Sequence, residues 1–156
     1  MKTILFVCTG NTCRSSMAEA IFRNLIKDVK EYENVRILSA GTWATKGQKA
    51  SGNAIEALKD KNIDLSSHIS KPLTKEMVEA ADLILTMTEN HKMQILNVLP
   101  GSSEKVYTLK ELAHGKANDI NISDPYGQNI EVYKGCAEEI EAALKKIIEG
   151  KFLNNI

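Results

Sequence analysis

Cys8 and Arg14 stand six positions apart, with Thr9-Gly10-Asn11-Thr12-Cys13 between them and Ser15 immediately after. A thiol, a run of small polar residues and an arginine suit the capture of a phosphoryl group. Successive backbone N–H groups from Thr9, Gly10, Asn11, Thr12 and Cys13 in a tight turn form an anion nest, and a helix N-terminus adds partial positive charge. Gly10 can supply a left-handed backbone angle. The planar fork of Arg14 grips two phosphate oxygens, and the same field favours Cys8 as a thiolate nucleophile. The spacing alone is weak evidence, because Cys is a common buried residue type. Scarcity strengthens it: the chain has three Arg beside 17 Lys, and one of the three is in this loop.

A thiolate attacking phosphorus needs a proton donor for the leaving group. Asp124-Pro125-Tyr126-Gly127 offers one. Pro125 stiffens the segment and Gly127 loosens it. Alone, the tetrapeptide is an ordinary Asp-Pro turn; beside the cysteine loop, Asp124 becomes the candidate acid.

These residues need a scaffold. Ile4 to Val7 is a continuous apolar run, as expected for a strand covered on both faces of a parallel sheet. Ser16 and Glu19 form a capping-box pattern, opening a helix with Met17, Ala18, Ile21, Phe22, Leu25, Ile26 and Val29 on one face. Further strands are expected at Val35–Leu38, Leu83–Met87 and Val106–Leu109. Helices are expected around Ala54, Ile55 and Leu58, after a Thr74 cap, before Pro100-Gly101, and along Tyr133, Cys136, Ala137, Ile140, Leu144, Ile147 and Ile148. Alternating strands and helices predict an α/β fold: a single-domain, doubly wound sheet of about four parallel strands, helices on both faces, spanning residues 1–156. Two stretches without periodicity, Ala40–Gly52 and Ala113–Asn129, are expected as functional loops. Ligands of such sheets sit beyond the carboxyl ends of the strands, where the cysteine loop falls.

Composition narrows the function. The chain has 156 residues, 43% of them hydrophobic, enough for a real core. Twenty basic and twenty acidic residues cancel, which argues against a general nucleic-acid or membrane-surface binder. No apolar run approaches the ~20 residues of a membrane span, and the apolar stretch at the N-terminus is too brief for a signal-peptide core. Three cysteines make no disulfide framework. The expectation is a cytoplasmic protein with reduced thiols. His68, His91 and His114 have no ligand-like spacing, so no metal site is expected.

The cysteine loop and the late Asp-Pro together resemble the low-molecular-weight protein tyrosine phosphatase family. Ser39-Ala40-Gly41-Thr42 and Ala81-Asp82-Leu83-Ile84-Leu85-Thr86-Met87 extend the resemblance over essentially the whole chain. It implies Cys8 as nucleophile and Arg14 as the phosphate ligand that stabilises transition-state charge. It also implies that Ser15 donates a hydrogen bond to the Cys8 sulfur, that Asn11 holds the loop in shape, and that Asp124 serves as acid and then base. No cofactor is implied; the partners would be phosphorylated proteins or peptides, and the product inorganic phosphate. Tyrosine-directed members carry a bulky aliphatic residue where Thr12 stands, and the loop is similar to that of bacterial protein arginine phosphatases. A hydroxyl can meet a polar guanidinium where an aliphatic wall suits a phenyl ring, so phosphoarginine is the expected substrate. Phosphotyrosine is the alternative, with Thr12 a loop-packing variant.

Some positions depart from the family pattern. Ser16 replaces a usual proline, and Gly127 replaces a second aromatic residue. Tyr126 and Trp43 are candidates to flank the substrate, or else surface packing. Cys13 would form a reversible disulfide with Cys8 by the resemblance, or simply pack the loop; Cys136 falls on an apolar helix stripe and is expected in the core. Three other activities compete with this reading. A thiol-dependent arsenate reductase needs relay cysteines, which Asp82–Lys92 lacks. A phosphocysteine carrier has no use for Arg14 or Asp124, and a silent phosphopeptide-binding module requires neither Cys8 nor Asp124. No nucleotide-binding glycine pattern is present.

Overall fold

The computed structural model describes residues 1–116 and 119–156. Among the described residues four strands form one parallel sheet: β1 (Lys2–Cys8), β2 (Val35–Gly41), β3 (Leu83–Thr86) and β4 (Val106–Thr108), in the order β2-β1-β3-β4. Six α-helices, again among the described residues, surround it: α1 (Arg14–Ile26), α2 (Gly52–Lys59), α3 (Lys75–Ala80), α4 (Glu89–Val98), α5 (Leu109–His114) and α6 (Ile130–Glu149).

The unbroken apolar run of β1 is explained by two cores. Ile4, Phe6 and Cys8 face one core with Met17, Phe22, Leu58, Tyr133 and Leu144, whereas Leu5 and Val7 face the other with Val78, Ala81 and Ile95. Alternate side chains of a strand point to opposite faces, so a strand between two helical layers must be apolar throughout. The crossover from β1 to β2 carries α1 on the first face, and the one from β2 to β3 returns through α3 on the second. The winding therefore reverses at the boundary of β1 and β3, and the loop leaving β1 opens at that crevice.

The α/β sheet and its helical layers agree with the sequence expectation, as do the Thr74 cap, which accepts from Met77 N at 3.1 Å, and the buried stripe of α6. Other details differ. The Ser16–Glu19 capping box does not form: α1 begins at Arg14 with Cys13 as its N-cap and no side-chain cap. Ser16 Oγ donates instead to Cys13 O at 2.9 Å, and Glu19 pairs with Arg23 and accepts from Ser39 Oγ. The helix starts early because it must present its first turn to the cysteine loop. β2 runs on to Gly41, pairing with Cys8 of β1. Leu109, expected at the end of a strand, opens α5, because Thr108 and Glu111 make a reciprocal capping box. The expected loop Ala113–Asn129 thus begins inside a helix, and two of its members, Ala117 and Asn118, lie outside the described residues.

Among the described residues no helix is long and apolar enough to cross a membrane.

Candidate active site

The loop between β1 and α1 is held by its neighbours rather than by its own turns. Thr42 N and Trp43 N donate to Cys8 O and Thr9 O, both at 2.9 Å, so the segment after β2 continues the sheet alongside it. Ser51 N donates to Thr12 O at 3.0 Å. The crossing is so close that a Cβ on Gly41 would strike Thr9 O and come within 3.0 Å of Asn11 N. Only glycine leaves room there.

The left-handed residue of the loop is Asn11, at φ 57°, and not Gly10. Asparagine tolerates that region when its side chain bonds locally, and here it does more. Asn11 Nδ2 donates to Ser15 Oγ at 2.8 Å and to Ser39 Oγ at 2.9 Å, while Oδ1 accepts from Lys71 N at 3.1 Å. His68 Nε2 donates to Asn11 O at 2.6 Å; burial holds this imidazole below its ordinary range despite that bond. Asn11 is fully buried.

Cys8 Sγ lies 2.9 Å from Ser15 Oγ and 3.3 Å from Asn11 N. Both lie within hydrogen-bonding distance of the sulfur, and the Asn11 N–H donates to it. Arg14 is buried; its Nη1 donates to Ile122 O at 2.9 Å, and its Nη2 lies 3.6 Å from Asp124 Oδ2. Its Nε is buried without a hydrogen-bond partner among the described residues, a donor suited to an acceptor-only oxyanion. Asp124 Oδ1 accepts from Tyr126 N at 3.1 Å, an Asx turn that orients the carboxylate.

One cavity of about 350 Å3 is lined by Cys8, Thr9, Gly10, Thr12, Cys13, Arg14 and Asp124 together with Trp43, Thr45, Gln48 and Tyr126. Trp43 and Tyr126 are strongly exposed, at 86% and 72%, and stand free rather than packed. A larger groove of about 370 Å3, between α3 and α4, contains none of the candidate residues. Asn11 and Ser15 lie behind the cavity and act on the loop, not in the opening.

The three cysteines are free and buried. Cys13 Sγ is 3.5 Å from both Ser51 Oγ and Tyr133 Oη, and burial beside Cys13 pushes the Tyr133 phenol up to about 12. Cys136 sits in the core as expected; burial raises its thiol to about 12, so it is an inert neutral group at neutral pH. Among the described residues no cluster of His, Cys, Asp and Glu could hold a metal ion.

Several supports escape a sequence reading. Ser39, Gly41 and His68 reach the loop only through the fold. His91 does so too: it caps α4 through Thr88 and meets Thr9 Oγ1 at 2.8 Å with Nε2. Its capping partnership has the Thr-x-x spacing of a capping box, but with His where Glu or Gln gives the usual signal.

Fold and loop together define a cysteine-dependent phosphatase architecture. The model of the family "Low molecular weight phosphotyrosine protein phosphatase" matches residues 3–155, and the chain belongs to that family. It is 45% identical to a protein-arginine-phosphatase of Bacillus subtilis, over 92% of this chain and 93% of that protein. It is 41% identical to a protein-arginine-phosphatase of Geobacillus stearothermophilus, over 94% and 93%. Among solved structures it resembles a YwlE arginine phosphatase, in a cysteine-to-serine mutant with a phosphorylated active site serine. The TM-score is 0.86, at 43% identity, covering 95% of this chain and 94% of the other. A low-molecular-weight protein tyrosine phosphatase from T. tengcongensis matches with a TM-score of 0.87 at 40% identity, covering 96% of this chain and 99% of the other.

Proposed function

We propose that this protein removes phosphate from phosphoarginine side chains of proteins, through a phosphocysteine intermediate. The observation that carries the chemistry is the convergence of Cys8, the buried Arg14 fork and Asp124 on one cavity. Cys8 attacks phosphorus, the bond from phosphorus to the guanidinium nitrogen breaks, and Asp124 gives that nitrogen its proton. Nε and Nη2 of Arg14, with the loop N–H groups from Thr9 to Cys13, bind the phosphoryl oxygens and stabilise the charge that spreads over them. Water then attacks the phosphocysteine while Asp124 accepts its proton, releasing inorganic phosphate and free Cys8. No cofactor takes part.

The substrate class rests on Thr12, which lines the cavity, and on the likeness to two protein-arginine-phosphatases. A hydroxyl can accept from a guanidinium, and the exposed Asp124, once it has given up its proton, pairs as a carboxylate with the charge of the released guanidinium. A specific observation favours phosphotyrosine as the second reading: Trp43 and Tyr126 stand free at the cavity, apolar faces suited to a phenyl ring. Balanced charge supports protein substrates in the cytoplasm over nucleic acid or membrane partners.

Phosphate release from matched phosphoarginine and phosphotyrosine peptides, with Cys8→Ser as blank, tests both parts. Preference for phosphoarginine is expected, with Thr12→Ile shifting it toward phosphotyrosine. The opposite preference in the native protein removes the substrate claim and keeps the mechanism; turnover surviving in Cys8→Ser removes the mechanism.

A further inference from the structure

His91 is nearly wholly buried, yet both of its ring nitrogens are engaged. Nδ1 faces Thr88 N at 3.2 Å and Thr88 Oγ1 at 2.9 Å. A backbone N–H can only donate, so Nδ1 is an acceptor and carries no proton. The neutral ring therefore has its proton on Nε2, and the 2.8 Å contact runs from Nε2–H to Thr9 Oγ1. The hydroxyl of Thr9 accepts that bond, and its own proton is turned away from His91. Thr9 is exposed and, with Arg14 and Asp124, lines both the candidate active-site cavity and the adjoining cleft beneath α4.

We propose that His91 is a positioning residue that fixes Thr9 Oγ1 as a hydrogen-bond donor to the phosphoryl group. The proposal rests on the phosphatase reading above and deepens it. A phosphoryl oxygen is acceptor-only, so a hydroxyl free to rotate loses part of its value by pointing its lone pairs inward. A hydroxyl whose lone pair is occupied from behind presents its proton without reorganisation when charge develops on the phosphoryl group. The charged groups acting on His91 are Arg14 and Asp124. Burial and Arg14 oppose its protonation more than Asp124 favours it, holding it down to about 4. The Nε2–H donor is thus present throughout the neutral range.

Side chains that mimic one nitrogen at a time separate this role from packing. His91→Gln places an amide donor near Nε2, whereas His91→Asn keeps an acceptor for Thr88 N and loses the donor to Thr9. Thr9→Val removes the hydroxyl at constant shape, and Thr9→Ser restores it. Kinetics on a phosphoarginine peptide, with inorganic phosphate as competitive inhibitor, are the readout. Thr9→Val and His91→Asn should each lower kcat/KM about tenfold and weaken phosphate inhibition in step, less than the roughly 10²–10³-fold loss typical of an oxyanion-hole donor because Arg14 and the loop N–H groups remain. Thr9→Ser and His91→Gln should stay within about threefold of the native protein, and the double variant Thr9→Val/His91→Asn should be no worse than Thr9→Val. Native rates in Thr9→Val, or losses that multiply in the double variant, overturn the proposal. If His91→Asn does not fold, His91→Gln in the native and Thr9→Val backgrounds decides: a loss as large as that of Thr9→Val overturns it. Inactive Cys8→Ser beside an unaffected Thr9→Val defeats this inference alone; active Cys8→Ser defeats the phosphatase reading as well.

Discussion

The cysteine loop and the Asp124 segment face one another across a single cavity but are built in opposite ways. The cysteine loop is tied down from several directions: Asn11 alone links it to Ser15, Ser39, Lys71 and His68, and it is fully buried. The Asp124 segment is anchored upstream, where Ile122 N donates to Met87 O at 2.8 Å and Glu89 N to Asn121 Oδ1 at 2.8 Å. Beyond that anchor the Asp124 side chain is 52% exposed, and Tyr126 stands free. Binding an oxyanion requires donors held in place before the reaction. A proton donor must meet a leaving group whose size and shape vary with the substrate, and a lightly held carboxylate can do so.

The sharpest way to break this contrast is to remove the carboxylate. Asp124→Asn should slow turnover by roughly 10²–10⁴-fold while changing unfolding free energy by less than about 0.5 kcal/mol, as for an exposed side chain. A clear drop in denaturation midpoint would mean that the segment carries structure as well as chemistry. On the loop side the balance should reverse. Asn11→Gly keeps the left-handed backbone accessible but deletes three side-chain hydrogen bonds, two of them buried. It should cost about 2–4 kcal/mol and weaken binding of inorganic phosphate; unchanged urea unfolding would show that the backbone alone shapes the loop.

How much of this was visible from residues alone follows the same divide. Cys8, Arg14 and Ser15 are close in sequence and declare themselves by type and spacing. Asp124 is recognisable through its Pro-Tyr neighbours. His68 and His91 have no local signature, and Ser39 and Gly41 show only within a stretch that carries the family resemblance, because the role of all four arises only where separate strands and helices meet. Gly10 drew attention as the sole glycine of the loop, yet the strained backbone belongs to Asn11, whose side-chain network favours that conformation. In the fold, apolar periodicity located the sheet and its layers. It missed α5, where a Thr108–Glu111 capping box turns the chain into a helix directly from β4.

A smaller effect refines the contrast at its boundary. His91 is depressed from 6.5 to about 4, first by burial and then by Arg14, with Asp124 opposing. Between those values the unfolded chain binds a proton that the folded chain does not, so this contribution to stability is complete above pH 6.5 and declines as pH falls toward 4. Urea unfolding at pH 7 and pH 5 should differ by about 1–2 kcal/mol from this source, and His91→Gln should remove that part of the difference. An unaltered pH dependence in the variant would assign the acid sensitivity to other groups.

The bonds that shape the catalytic loop join residues far apart in the chain: Asn11 with Lys71 across 60 positions, Thr9 with His91 across 82, and Arg14 with Ile122 across 108. Such contacts can form only after long stretches of chain have come together, and they are the slow ones in folding. The loop therefore completes late, once β3, α4 and the Ile122 strand-end contact are in place. During refolding from urea, circular dichroism should recover ahead of catalytic turnover. A chain still assembling would carry its cysteine without yet being able to use it.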